Sequence, residues 1–268
     1  MSQSLPTDLI KATTGDYSIP LFAIFASAWH CIKGIKKAFW LGFCLLFLIM
    51  VGLYVLLGFI LAVCDIFHFY HLRAVCQFFA GGFVDVFRLL LSISLVFLAL
   101  HHVRKEKVNA TMVFEFCKDW KPLAFIGVIL YLLNQGLLLV SRANFISEYK
   151  LLGNEIKGVL IMGKSVELIL FILLYSYITL LITMAMLLIL DKKMQLKDSV
   201  KIALISINQH WFKNIVLFIL ASLLFLLVGV VTLGIGLIWV LPLLFLITAI
   251  QYEHIFCEGK IAVRSIKI

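Results

Sequence analysis

Residues 198–213 read DSVKIALISINQHWFK, and residues 214–233 continue NIVLFILASLLFLLVGVVTL. The second stretch carries no charged residue over 20 positions, about the length an α-helix needs to cross the roughly 30 Å hydrocarbon core of a bilayer. The first stretch is basic and amphipathic, with Leu204, Ile207 and Trp211 at helical spacing among Lys201 and Lys213. That combination marks a helix lying at the membrane surface, with its aromatic ring at the interface. The same grammar occurs twice more. Residues 24–37 (IFASAWHCIKGIKK) place Ala28, Cys31 and Ile35 on one face, and residues 111–121 (TMVFEFCKDWK) place Val113, Phe116 and Trp120. Each basic stretch leads into a pair of long apolar runs.

Outward from these stretches, the chain of 268 residues is 63% hydrophobic and 14% charged, against about 45–50% and about 25% in ordinary globular domains. The excess is concentrated in runs at 39–64, 78–100, 122–141, 164–190, 214–233 and 237–256. A membrane β-barrel would instead show alternating segments of about ten residues, so the runs predict helices. Residues 1–20 lack the compact apolar core and cleavage site of a secretory leader, and the first span is expected to act as an uncleaved anchor.

Charge orients the spans. Lys11, Lys33, Lys36 and Lys37 precede the first. Arg104, Lys105, Lys107, Lys118 and Lys121 separate the second from the third. Lys192, Lys193, Lys197, Lys201 and Lys213 separate the fourth from the fifth, and Lys260, Arg264 and Lys267 follow the sixth. The opposite side holds only Arg73, Arg142, Lys150, Lys157 and Lys164. The excess of cations predicts that both termini are cytoplasmic. The net charge of +9 then serves anionic lipid headgroups on that face and calls for no nucleic acid. Cys31, Cys117 and Cys257 fall on the reducing side, whereas Cys64 and Cys76 flank the first external loop and form a candidate disulfide.

The fold predicted is an all-α integral membrane protein with six transmembrane helices and three cytoplasmic interfacial amphipathic helices. These make three repeated helical hairpins, at about 21–100, 110–190 and 198–257, within one membrane domain spanning 21–257. Residues 1–20 are expected to be poorly ordered, and 258–268 form a cytoplasmic tail. Similar offsets between Ile35, Trp120 and Trp211 motivate the repeat. Successive two-span units would share one orientation.

The C-terminal third carries a family resemblance. Asp191 follows the fourth run. Ser199 and Ala203 lie on the next helix, followed by Trp211-Phe212-Lys213-Asn214. Gly234-Ile235-Gly236-Leu237, Pro242-Leu243 and Tyr252 complete the pattern. Over roughly 186–257 the chain resembles a broad group of uncharacterised bacterial six-span inner-membrane proteins. It is also similar to the membrane domain attached to some glycerophosphodiester phosphodiesterases. The resemblance implies a bacterial inner-membrane protein and carries no activity with it. The chain has no large soluble segment to house a phosphodiesterase domain.

Chemistry is sparse. Asp85 and Arg88 stand i, i+3 in the second span. Each charge costs about 2.5–3.5 kcal/mol at mid-bilayer, so they are expected to pair and face the bundle interior. With Asn134, Gln135 and Glu167 they form a candidate ligand or ion pathway. Tyr175, Ser176, Tyr177 and Thr179 suit interhelical hydrogen bonding. Asp65, His68 and His71 are a weak candidate metal set, with ligand types that suit Zn²⁺ on one helical face. Glu253, His254 and Cys257 have no partner readable from sequence. The chain shows no phosphate loop, nucleophile elbow or His-Glu-x-x-His motif, and no cofactor is implied. The function expected is a non-enzymatic accessory or assembly protein, partnered by lipids and by a membrane protein or a second copy. The alternative is a carrier, channel or lipid-handling protein with a polar cavity lined by Asp85, Arg88, Asn134 and Glu167. Pro242 should kink the sixth span and free a carbonyl that a neighbour or water must satisfy.

Overall fold

The computed structural model describes residues 6–151 and 157–257; the side chains of Tyr70, Ala74, Asn134 and residues 137–172 lie outside the described set. The described chain is all-helical. Its elements are α1 (Thr7–Thr14), α2 (Leu21–Ile66), α3 (Tyr70–Val103), a 3₁₀ helix (Ala110–Asp119), α4 (Trp120–Leu151), α5 (Lys157–Lys192), α6 (Leu196–Gln209), α7 (Trp211–Val231) and α8 (Leu237–Phe256).

Five helical segments among the described residues are long and apolar enough to cross a membrane: Leu21–Ile66, His71–Val103, Leu173–Lys192, Trp211–Val231 and Leu237–Phe256. The third predicted span, 122–141, lies within α4 and is not one of the five. Over their most apolar windows, α3, α8 and α5 have 67%, 61% and 56% of residues buried, whereas α2 and α7 have 6% and 22%. Helices α3, α5 and α8 therefore form the inner layer, and α2 and α7 flank it. The outer faces carry exposed Phe47, Leu48, Val55, Phe59, Leu226 and Val230. So large an apolar surface suits a lipid solvent rather than water.

The three basic stretches fold differently from one another. Residues 24–37 open α2, which kinks at Lys33 (ψ 118°) and Gly34 (φ 105°, ψ −30°). Only glycine takes that φ without strain, so Gly34 turns the surface segment into the span. The buried row before the kink is Ile24, Ala28 and Ile32. Residues 111–121 are not α-helical at first. In the 3₁₀ helix side chains three apart eclipse, and the buried row is Ala110, Val113 and Phe116. Trp120, predicted to share that face, is instead exposed. On α6 the buried row is Ser199, Ile202, Ala203, Ser206 and Ile207. Of the predicted stripe only Ile207 is in it, and Leu204 and Trp211 lie exposed.

The N-terminal segment was expected to be poorly ordered, yet it holds a helix packed on α6. Leu9 and Ala12 are buried. The Gln209 amide donates to the Thr13 carbonyl (3.0 Å), His210 Nε2 bonds the Gly15 carbonyl (3.1 Å), and Tyr17 donates to the Ser206 carbonyl. Burial pushes the Tyr17 phenol up to about 12, with a hydrogen bond to Asn214 acting the other way. Leu9 and Ala12 supply the apolar anchor that composition hid among polar neighbours.

Helix α8 runs through Pro242. Proline removes the donor to the carbonyl four residues earlier, that of Ile238. The Trp40 indole donates to that carbonyl at 3.3 Å. The α7–α8 turn closes through Gly234 at φ 89°, where the Gly236 N–H donates to Thr232 Oγ1 at 2.7 Å.

Candidate functional site

The C-termini of the three inner helices converge. Arg104 caps α3, Asp191 lies one residue from the end of α5, and Glu253 sits in the last turn of α8. The guanidinium donates Nη1 to Asp191 Oδ1 (2.5 Å) and Nη2 to Asp191 Oδ2 (3.0 Å). Its Nε donates to Glu253 Oε1 (2.6 Å), and Nη2 also approaches Cys257 Sγ (3.5 Å). The fully buried Tyr252 donates its hydroxyl to Asp191 Oδ2 (2.9 Å). Side-chain exposures are 19% for Arg104, 9% for Asp191 and 6% for Glu253.

Three physical effects favour a cation at this point. Helix C-termini carry partial negative charge, the planar fork of arginine matches a carboxylate in bidentate fashion, and two carboxylates need compensation once desolvated. Lys192 Nζ, 3.9 Å from Asp191 Oδ2, brings the formal charges into balance. Burial pulls the Arg104 pKa down, but the Asp191 hydrogen bonds and the Glu253 charge outweigh it, and the net shift is upward. The Cys257 thiol is pushed up to about 11, by burial first and by the Glu253 charge next. A reactive cysteine needs the opposite shift. The Tyr252 proton is committed to Asp191. The cluster therefore ties the ends of the three helices together.

Two further ties lie near this end. His102 Nε2 bonds the Cys31 carbonyl (2.9 Å), joining the end of α3 to the kink of α2. Lys193 Nζ pairs with Asp119 Oδ2 (2.8 Å), joining α5 to the 3₁₀ helix. Beneath them Asn214, fully buried, donates to the Ile207 carbonyl and accepts from Gln251 (2.9 Å).

The residues singled out in the sequence sit elsewhere. Asp85 and Arg88 do pair, Nη2 to Oδ1 at 3.2 Å, but Arg88 is 63% exposed rather than turned into the bundle. Gln135 is half-buried on α4. The side chains of Asn134 and Glu167 lie outside the described residues, so the four-residue pathway is not assembled among them. Asp65, His68 and His71 do not share a helical face: Asp65 ends α2, His68 is in the turn at φ 56°, and His71 begins α3. Asp65 pairs with Arg73 (2.9 Å), and no group of three metal-ligating side chains is found among the described residues. Cys64 and Cys76, the candidate disulfide on either side of the α2–α3 turn, are free thiols. The Tyr177 hydroxyl donates to Asn208 (2.6 Å), tying α5 to α6.

Sequence reasoning missed the arginine cluster. It treated Arg104 as a topology charge and left Glu253 and Cys257 without partners. One signal was available: Arg104, Asp191 and Glu253 each stand at the end of the second helix of a hairpin, at matched depth and with opposite charges. Asp191 and Tyr252 lie in this cluster and Asn214 beside it.

Comparison with family models, curated proteins and solved structures gave no match to the chain.

Proposed function

We propose that the chain is a six-span, non-enzymatic membrane protein of accessory or assembly type, of bacterial inner-membrane kind, with both termini cytoplasmic. The apolar run at 122–141 supplies the sixth span, and the distribution of Lys and Arg sets the orientation. One observation carries the functional reading. The buried charges at the helix ends satisfy one another in the Arg104 cluster, and the bundle offers its surroundings apolar grooves and faces. That is the chemistry of a protein that holds or docks within the membrane.

Topology and function are tested separately. In intact bacterial cells a membrane-impermeant maleimide should spare Cys117, which is exposed on the 3₁₀ helix. It should modify the Leu233→Cys variant at the α7–α8 turn, where Leu233 is 92% exposed. The reverse labelling pattern would invert the orientation. For function, the purified protein in liposomes should produce no solute-selective flux. A flux abolished by Arg88→Leu in folded protein would replace the accessory reading with a carrier. A second reading, lipid handling, is favoured by an aromatic groove of about 860 Å³ between α3, the 3₁₀ helix and α4.

A further inference from the structure

The aromatic groove owes its shape to the 3₁₀ helix. Because residues three apart eclipse, Phe114, Cys117 and Trp120 fall in one row along its wall; of the buried row Ala110, Val113 and Phe116, Phe116 also lines the groove. Phe79, Phe83 and Phe87 of α3 face them, and Tyr131 closes the far end, where its hydroxyl donates to the Phe78 carbonyl (2.9 Å). From Trp120 to Leu132, both lining residues, α4 rises about 18 Å. That is a little over half of a hydrocarbon core of about 30 Å, roughly the depth of one leaflet.

Beside the lining residues Cys117 and Trp120 the chain is basic. Lys118 and Lys121 are exposed on either side of Trp120. Asp119 lies between them but is already paired with Lys193. Glu115 stands one 3₁₀ turn before Lys118, which leaves the row Glu115, Lys118 and Lys121 with a net positive charge. An apolar slot one leaflet deep below an interfacial tryptophan and two lysines is complementary to a single molecule: acyl chains below, a negative headgroup above.

We propose that this groove is a binding site for one anionic glycerophospholipid, with its chains along the Phe83–Trp120 slot and its phosphate at Lys118 and Lys121. The inference rests on the membrane reading above, and the two fail in different ways. Release of the chain from membranes by alkaline carbonate would end both. Carbonate-resistant protein with no retained lipid would end only this one.

The test is native mass spectrometry of the full chain taken from nanodiscs of mixed phosphatidylethanolamine and phosphatidylglycerol. The wild type should retain phosphatidylglycerol out of proportion to its share of the bilayer. Val128→Trp, which fills the groove from its exposed wall, should lose the bound lipid. Leu223→Trp, on the exposed face of α7, should keep it. Lys118→Gln with Lys121→Gln should keep lipid but lower the preference for phosphatidylglycerol roughly thirtyfold, as expected for two lysines near anionic headgroups. Unchanged thermal unfolding would certify each variant as folded. Retention by Val128→Trp equal to that of Leu223→Trp would overturn the site. An undiminished preference in the double Gln variant would overturn the headgroup assignment.

Discussion

Arg104 forks its guanidinium onto Asp191 and gives Nε to Glu253, so its removal strands two carboxylates in a desolvated place. Arg104→Met should therefore lower stability by about 3–5 kcal/mol, read as a drop in the unfolding midpoint of the purified protein in detergent. Neutralising the stranded groups with Asp191→Asn and Glu253→Gln should recover much of that loss. A triple variant no more stable than the single one would show that the charges are not what hold the site. Arg104→Lys should fall between, because an ammonium keeps the charge and loses the fork. Cys257 supplies a second measure. Its folded pKa of about 11 lies above the ordinary 9.0. The folded state thus holds the thiol proton more tightly than the unfolded state. The stability linked to it is fully present below pH 9.0 and declines as pH rises through about 11. Iodoacetamide should modify Cys257 far more slowly than exposed Cys117 near neutral pH, with a rate that climbs toward that value. Equal rates at neutral pH would refute the burial. Sequence held only the placement of these charges at helix ends; which of them meet was not legible, because the partners stand 87 and 149 positions from Arg104. Asp85 and Arg88, by contrast, were legible as a pair because helix geometry alone brings i and i+3 together. Which way Arg88 faces depends on neighbouring helices.

At the scale of elements, Pro242 and Trp40 form a testable unit. The indole hydrogen bond compensates for the donor that proline lacks, so the two residues should be energetically coupled. Trp40→Phe should cost about 1 kcal/mol of hydrogen bonding beyond its packing loss. That part should vanish in a Pro242→Ala background, where the helix supplies its own donor to Ile238. A double-mutant cycle with no coupling would show that the 3.3 Å contact contributes nothing. The kink of α2 gives a contrast between two glycines of one helix. Gly34→Ala forces a side chain onto φ 105° and should destabilise by about 1 kcal/mol or more. Gly52→Ala, where an added Cβ meets open space, should be neutral or stabilising. Equal effects at both sites would mean that the kink is not under conformational constraint. The need for a donor at the Ile238 carbonyl could be read from Pro242 alone; the identity of Trp40 could not, because it lies 198 positions away.

At the scale of the molecule, the hairpins differ in reach. Helices α7 and α8, with 21 and 20 residues, are about 30 Å long and match the hydrocarbon core. Helix α3, with 34 residues, is about 50 Å long. A bilayer accommodates such a helix by tilt or by letting it project, and Asp65, His68 and Arg73 cluster at the α2–α3 tip. The inner layer of α3, α5 and α8 is closed by the arginine cluster at one end. The outer faces of α2 and α7 stay apolar and open.

Composition and the length of the apolar runs determined by themselves that this protein is built of long helices suited to a membrane, because burying backbone polar groups in lipid leaves few alternatives to a helix. Local spacing likewise located the turn at Gly234, whereas the break at Lys33 and Gly34 inside the first amphipathic stretch emerged only in the structure. The tertiary structure decided which helix face is buried, that residues 110–119 wind as a 3₁₀ helix, and which charges meet. Those outcomes depend on contacts between segments distant in sequence. Leu204 and Trp211 are as apolar as Ile202 and Ile207, and only the positions of α1 and α5 beside α6 select which row is covered.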